Sequence, residues 1–436
     1  MKLEKNQTVT LGGKSYRILD LLGEGGQGEV YLVECEGARY ALKLYKDLPD
    51  PDFCYNLKNN VEKGSPANAF LWPLAILRDE NTFGYLMDLR PRGYESFVSY
   101  LTGKNKFRDA RTMLRWCIEL CLAFKTLHEK GYSYQDLNDG SFFFHPDTGD
   151  LLICDNDNVT ADKKNLGILG KMRYMAPEIV RGDVDPSTGE RQMPDVHSDR
   201  FSLAVILFMT LCLGNPYEGE RLKEYVIVDE EAEHEMYGTD PVFVYHKTNT
   251  TNRPIRGYHT GVLRRWPHLP LYVKEAFHRT FVDGLSDREN GRVTELEWLR
   301  ILFRYRDELV SCDCGYQFAY GLGDRALRED CPLCKTHHGS GRVLLSIGKN
   351  RIVVAEGQKL YAPHLDKYSS DYNLGIGEII RNKKNPALLG LRTNVTSDVL
   401  IEDANGTRRT VPAGGVIPII EGLKIYFNQN TIGEII

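Results

Sequence analysis

No apolar run in this chain reaches the length needed to cross a bilayer; the longest, around Phe201–Leu213, is short and carries small and polar residues. The N-terminal MKLEKNQTVTLGGKSY lacks the apolar core of a secretory leader, so a cytoplasmic location is the expectation. Positive charge is not in excess. A net charge of −5 gives no bulk attraction to nucleic acid or to an anionic membrane, and neither is expected as a partner. A disulfide framework is not indicated either. Cys35, Cys54, Cys117, Cys121, Cys154 and Cys212 are scattered, mostly within apolar segments, and read as small core residues. Cys312, Cys314, Cys331 and Cys334 cluster, which in a cytosolic chain points to metal. What remains is 436 residues with 42% apolar and 26% charged side chains, a soluble globular composition with room for more than one domain.

The chain is organised around Gly131–Thr160, GYSYQDLNDGSFFFHPDTGDLLICDNDNVT. It reads as strand, turn, strand, with Asp136 and Asp155 on the loops at its two ends. Two such carboxylates can divide labour, one orienting an attacking hydroxyl and the other holding a divalent cation on a phosphate. Upstream, apolar residues recur at helical spacing from Asp109 to Lys130, and the helix ends at Gly131. Near the N-terminus, Leu21–Val30 contains GxGxxGxV, with Gly23, Gly25, Gly28 and Val30. Glycines there let a hairpin backbone lie close over phosphates. Alternation in Gln27–Glu34 and in Arg39–Tyr45 predicts two strands and places Lys43 on the second.

This combination of glycine hairpin and Ala41-Leu-Lys43 resembles the N-lobe of a protein kinase. The resemblance implies an α+β, bilobal fold in which Lys43 neutralises the α/β-phosphates of ATP and a helix glutamate, here Glu62, pairs with it. The segment Tyr55–Glu62 is expected to be a short helix at best, stopped by Gly64-Ser-Pro66. Strands near Ala75–Arg78 and Phe83–Met87 follow, and Met87–Arg90, including Asp88 and Leu89, is the expected adenine-binding hinge. Tyr134-Gln-Asp136 stands where the family has His-Arg-Asp, and Asp155-Asn-Asp157 where it has Asp-Phe-Gly. By that resemblance Asp136 orients the acceptor hydroxyl and Asp155 is the main Mg²⁺ ligand; Mn²⁺ is an acceptable substitute. Gly170–Glu178 resembles the Ala-Pro-Glu end of an activation segment. His197–Leu211 resembles the buried central helix, with Asp199 bonding catalytic-loop amides and Arg292 pairing with Glu178.

Several positions depart from the family pattern. The Arg of His-Arg-Asp is Gln135, which argues against activation through a loop phosphate on that position. The second metal ligand, normally Asn, is Ser141, whose hydroxyl has shorter reach. Asp157 replaces the glycine of Asp-Phe-Gly and is an accessory candidate near the metal. The family's Lys two positions after Asp136 is Asn138, and Lys171 stands near the usual activation-segment Thr. Lys171 is therefore expected to supply the missing positive charge.

Beyond about residue 308 the pattern changes. Cys312-Asp-Cys314 and Cys331-Pro-Leu-Cys334 suit a closed, four-thiolate structural Zn²⁺ site, with His337 or His338 as alternative ligands for one cysteine. From Ser340-Gly-Arg342 onward, short strands are predicted at Val343–Ile347, Arg351–Ala355, Gly377–Arg381, Leu388–Arg392, Val399–Glu402, Gly415–Ile420 and Leu423–Phe427. A small β-sandwich fits. Its end, Asn405-Gly-Thr…Ile425-Tyr-Phe, is similar to a forkhead-associated domain, but the Ser-x-x-His signature of the phosphothreonine readers is absent. The basic cluster Arg381–Asn385 reads as a solvated loop or a receptor for an acidic partner. The expected division is a kinase domain over 10–308 (N-lobe about 10–90, C-lobe about 91–308), a zinc ribbon over 309–340 and a forkhead-associated-like sandwich over 341–436.

The resemblance as a whole is to bacterial, eukaryotic-like kinases transferring the γ-phosphate of Mg-ATP to a protein hydroxyl, Ser/Thr favoured. Kinases with such a tail resemble those found alongside a von Willebrand factor A-type protein and a metal-dependent phosphatase. Ser141, Asn138 and Gln135 keep a pseudokinase scaffold open as the alternative, and AMP transfer is a further one.

Overall fold

The computed structural model describes residues 3–320, 329–338 and 342–436. Ser340 and Gly341, expected to open the third region, lie outside the described residues. Contacts divide the chain into two compact units. The first comprises residues 1–108, 119–265 and 276–296; the second comprises 109–118, 266–275 and 297–436.

The first unit begins with an antiparallel sheet of β1 (Thr8–Leu11), β2 (Lys14–Glu24), β3 (Gly28–Cys35), β4 (Ala38–Tyr45), β5 (Pro73–Asp79) and β6 (Thr82–Asp88), in the order β1-β2-β3-β4-β6-β5. In β3 the buried positions alternate from Glu29 to Cys35, as a strand with one face on a core requires. Helix α1 (Pro51–Lys63) is longer than the short segment expected from sequence. Asp50 caps it by accepting from the Asp52 amide, and Pro51 occupies its first turn, where a missing N–H does no harm. Gly64 at φ 75° ends it.

Next come β7 (Glu95–Ser96), α2 (Phe97–Leu101) and α3 (Ala110–Glu129), the last within a residue of the predicted helix at each end. The stretch around the two aspartates forms β8 (Tyr132–Ser133), β9 (Phe142–Phe144), β10 (Leu151–Ile153) and β11 (Thr160–Ala161). β9 lies between β10 and β7, and β11 pairs with β8. After α4 (Pro177–Arg181), α5 (Val196–Cys212) is buried almost throughout and opens on a capping box between Asp195 and Ser198. Among the described residues no helix is long and apolar enough to cross a membrane.

The second unit joins the end of the helix Glu295–Asp307 to everything that follows it. A hairpin of β12 (Leu309–Ser311) and β13 (Gln317–Ala319) carries the first cysteine pair. Among the described residues the remainder forms ten strands, β14 (Leu344–Ile347), β15 (Asn350–Val353), β16 (Lys359–Tyr361), β17 (Gly375–Arg381), β18 (Leu389–Thr393), β19 (Val399–Glu402), β20 (Arg408–Val411), β21 (Val416–Pro418), β22 (Lys424–Asn428) and β23 (Thr431–Ile435). They make a six-stranded sheet, β15-β14-β23-β22-β19-β20, and a four-stranded one, β16-β17-β18-β21. Strands of both sheets supply one apolar core, including Leu345, Ile352, Ile379, Leu391, Ile401 and Ile425. β16, β20 and β23 were not among the predicted strands.

Within this unit the helix end and the sandwich share buried polar contacts. His364 Nε2 lies 2.8 Å from an Asp307 oxygen, and Arg306 donates to the Tyr372 carbonyl at 2.8 Å. Arg111 donates to the Leu309 carbonyl at 2.8 Å.

Candidate active site

The hairpin between β2 and β3 presents Gly23, Gly25 and Gly28 for different reasons. A Cβ on Gly28 would sit 2.1 Å from the Leu44 carbonyl oxygen, so this glycine is needed for β3 to lie against β4. Gly23 has open space where a Cβ would be, and Gly25 closes the turn by donating to the Gly28 carbonyl at 2.8 Å. Val30 pairs across β3–β4 with Lys43, and Lys43 in turn with Tyr85 on β6. Asp88 ends β6, exposed and opposite Tyr40, and Leu89 packs against the apolar cluster of Ala41, Phe53, Leu57 and Met87. Leu166 and Ile168, from the stretch between Asp155 and Gly170, pack against the same cluster.

Lys43 is buried, and its partners correct one expectation. Its Nζ lies 2.7 Å from Asp157 Oδ2 and 2.9 Å from Asp155 Oδ1. Glu62, expected as its partner, is instead on the solvent side of α1, 62% exposed and 3.9 Å from Lys58. The reason is the helix's rotation: Phe53, Leu57 and Asn60 face inward, and Glu62 lies off that face. Burial by itself would lower the Lys43 ammonium, but the two carboxylates outweigh it and hold the group above its usual value. The Tyr45 and Tyr85 rings flank the ammonium with centroids at 5.3 and 5.9 Å. The Tyr45 hydroxyl donates to Asp157 Oδ2. Tyr45 was missed from sequence although a signal existed: two residues after Lys43 on a strand, it must share that face.

Asp155 and Gln135 are both non-glycine residues in the left-handed region, at φ 57° and 72°. Backbone strain of this kind clusters where function needs a fixed geometry. The Tyr134 hydroxyl steadies the first by donating to the carbonyls of Cys154 (2.6 Å) and Asp155 (3.1 Å). Asp199 steadies the second, accepting from the amides of Tyr134 (2.6 Å) and Gln135 (3.0 Å), the role expected of it. His128 on α3 bridges Asp199 (3.1 Å) and Glu295 (2.8 Å), a link that periodicity alone could not reveal. Burial opposes the His128 charge, but those two carboxylates prevail and raise it to about 9. Burial also pushes the Asp199 carboxyl up, opposed by the His128 ring and by the amides of Tyr134 and Gln135. Arg292 pairs with Glu178 at 2.6 Å, also as expected.

Asp136 accepts from Asn138 Nδ2 at 3.1 Å and from Asn158 Nδ2 at 3.4 Å. The second bond ties the Asp136 loop to the Asp155 loop. Burial raises the Asp136 carboxyl, with the nearby Asp155 charge acting in the same sense and Asn138 against it. Lys171 Nζ lies 3.2 Å from Asn138 Oδ1 and 3.9 Å from Asp139, so it reaches Asp136 through Asn138. Ser141 is buried at the end of a short 3₁₀ turn. Gln135, in the arginine's place, donates to Ser133 Oγ at 3.0 Å and accepts from Asn165 at 3.0 Å. A neutral bond thus fastens the activation segment where the family uses an arginine and a phosphate.

In the second unit the ligand atoms of Cys312, Cys314, Cys331 and Cys334 lie within 4.8 Å of one another. Cys312–Cys334 and Cys314–Cys331 approach to 3.5 and 3.7 Å. A tetrahedral ion with metal–sulfur bonds of about 2.3 Å separates its sulfurs by about 3.8 Å, so the donor set fits. His337 is outside this set and bonds Asp330 at 2.8 Å, and His338 packs on Phe318.

The protein kinase domain family matches residues 16–282, more than half of the chain. The chain belongs to the protein kinase family. Among its relatives, the protein kinase YegI of Escherichia coli is 26% identical over 349 residues, covering 76% of this chain and 50% of that protein. The serine/threonine-protein kinase SCH9 of Saccharomyces cerevisiae is 26% identical over 219 residues, covering 48% of this chain and 25% of SCH9. The serine/threonine-protein kinase PknD of Protochlamydia amoebophila is 24% identical over 266 residues, covering 51% of this chain and 26% of PknD. The chain thus spans between a quarter and a half of the length of these relatives.

Proposed function

We infer that this chain is an active kinase that transfers the γ-phosphate of Mg-ATP to a protein hydroxyl, with Ser/Thr favoured as acceptor. The observation that carries the reading is the convergence of Lys43, Asp155 and Asp136 from three separate segments, cross-linked by the Lys43–Asp155 and Asn158–Asp136 contacts. In this reading Gly23, Gly25, Gly28 and Val30 cover the phosphates, Lys43 holds them, and Asp88 and Leu89 face the adenine. Asp155 holds Mg²⁺ (or Mn²⁺), with Ser141 or Asp157 beside it, and the ion when bound neutralises charge on the phosphates. Asp136 orients the acceptor hydroxyl, with Lys171 acting through Asn138.

The kinase domain is assigned to 10–308, a Zn²⁺-holding ribbon to 309–340 on its four cysteines, and a forkhead-associated-like sandwich to 341–436. Two antiparallel sheets over one core support the last, without phosphopeptide binding. Partnership with a von Willebrand factor A-type protein and a metal-dependent phosphatase, and a cytoplasmic location, rest on family resemblance and sequence composition.

The second reading is a pseudokinase scaffold, favoured by the burial of Ser141. Mg-dependent autophosphorylation of the wild type against Asp136→Asn separates the two. Loss of a positioned proton acceptor lowers the rate by about 10²–10⁴-fold. No transfer by either protein favours the scaffold, and intact mass distinguishes added phosphate from added AMP.

A further inference from the structure

Lys43 has two carboxylate partners in different surroundings. Asp155 is 60% exposed, so its bond to Lys43 is screened by water and easily exchanged for a cation. Asp157 is 1% exposed, and its Oδ2 receives both the Lys43 ammonium and the Tyr45 hydroxyl. A buried pair of this kind is not easily parted, because either member left alone is an uncompensated charge. Helix α1 is fastened to the same loop by different means. Asn56 and Asn60, one turn apart, both donate to the Val159 carbonyl at 2.8 Å. The Asn60 carbonyl in turn accepts from the Trp72 indole at 2.8 Å.

We propose that Asp157 is the positioning residue for Lys43, and that α1 is tied to the Asp155–Val159 loop through Asn56 and Asn60 in place of a lysine–glutamate bond. The proposal rests on reading Lys43 as the phosphate-holding lysine. It makes the lysine's placement depend on the metal-binding loop, so that when Asp155 turns to a cation Lys43 keeps a buried anchor. Glu62 then has no part in aligning the phosphates, and completing the site needs no swing of α1.

Two double-mutant cycles on the full chain test this, Lys43→Met with Asp157→Asn and Lys43→Met with Glu62→Gln. The first readout is urea unfolding without nucleotide. Non-additive midpoints in the Asp157 cycle and additive ones in the Glu62 cycle are expected. The second is ADP affinity in EDTA, where no metal contributes. Asp157→Asn is expected to change it by about tenfold when Lys43 is present and not when residue 43 is Met. Additivity of Lys43 with Asp157, or coupling of Lys43 with Glu62, overturns the proposal. So does an Asp157→Asn effect on ADP that appears only with Mg²⁺, which would make Asp157 a metal ligand alone. If the wild type binds no ADP, the functional reading fails while the unfolding cycles still decide the anchor. Tyr45→Phe, which keeps the charge pair, provides the check should Asp157→Asn fold poorly; its unfolding midpoint is expected to be non-additive with Lys43→Met, and additivity counts against the anchor.

Discussion

Replacing His128 by Gln removes an ionisable group that links α3 to both Asp199 and Glu295. The side chains of all three residues are nearly inaccessible to water, so screening does not dilute the effect. The folded protein holds His128 at about 9, against 6.5 for an ordinary histidine. A raised value means that folding favours the proton. The stabilisation is therefore complete below pH 6.5, declines as pH rises through 9, and is absent above it. The difference corresponds to about 3 kcal/mol. Urea unfolding followed by tryptophan fluorescence at several pH values between 6 and 10 measures it. The gap between wild type and His128→Gln reports His128 together with its two carboxylate partners, Asp199 and Glu295. That gap should close by about 3 kcal/mol over the range. Parallel curves would refute the reasoning. The consequence is functional as well, since Asp199 carries the amides of Tyr134 and Gln135.

Three further outcomes follow from the same geometry. Metal analysis should find about one Zn²⁺ per chain, with Cys331→Ser losing it and hydrogen exchange quickening in Leu309–Ala319; full retention of zinc would contradict the four-thiolate site. Phosphatase-treated protein should keep its initial transfer rate to within about twofold, because Gln135 fastens the activation segment without a phosphate; a tenfold loss would contradict that. The acid limb of kcat/KM against pH should lie above the ordinary aspartate value, because burial raises Asp136 and only its carboxylate accepts the proton; a limb at or below that value would show otherwise.

Much of the kinase portion was legible because its signals are local. The glycine hairpin, Lys43, the two acidic loops and the helix before them are each short patterns, and their chain order is itself informative. The partner of Lys43 was not legible. Spacing suggested Glu62, whereas the rotation of α1 about its apolar face decides which side chain points inward. The start of α1 was available in Asp50-Pro51, a cap followed by proline, and reading from Tyr55 cut the helix short. In the sandwich, β20 is Arg408-Arg-Thr-Val411, nearly all exposed, so it has no apolar alternation to detect. β16 and β23 are short or mostly polar and depend on their neighbours for pairing. Tyr45 shares the strand and face of Lys43, whereas the approach of Asp157 is set by the Asp155–Val159 loop folding onto that strand.

The measurement that bears most directly on the account is a structure with a non-hydrolysable ATP analogue and Mg²⁺. The prediction is a nucleotide under the Gly23–Gly28 hairpin, its α/β-phosphates on Lys43, metal on Asp155, and its γ-phosphate facing Asp136. A cleft that admits no nucleotide, or a terminal phosphate remote from both Asp136 and Asp155, would contradict it.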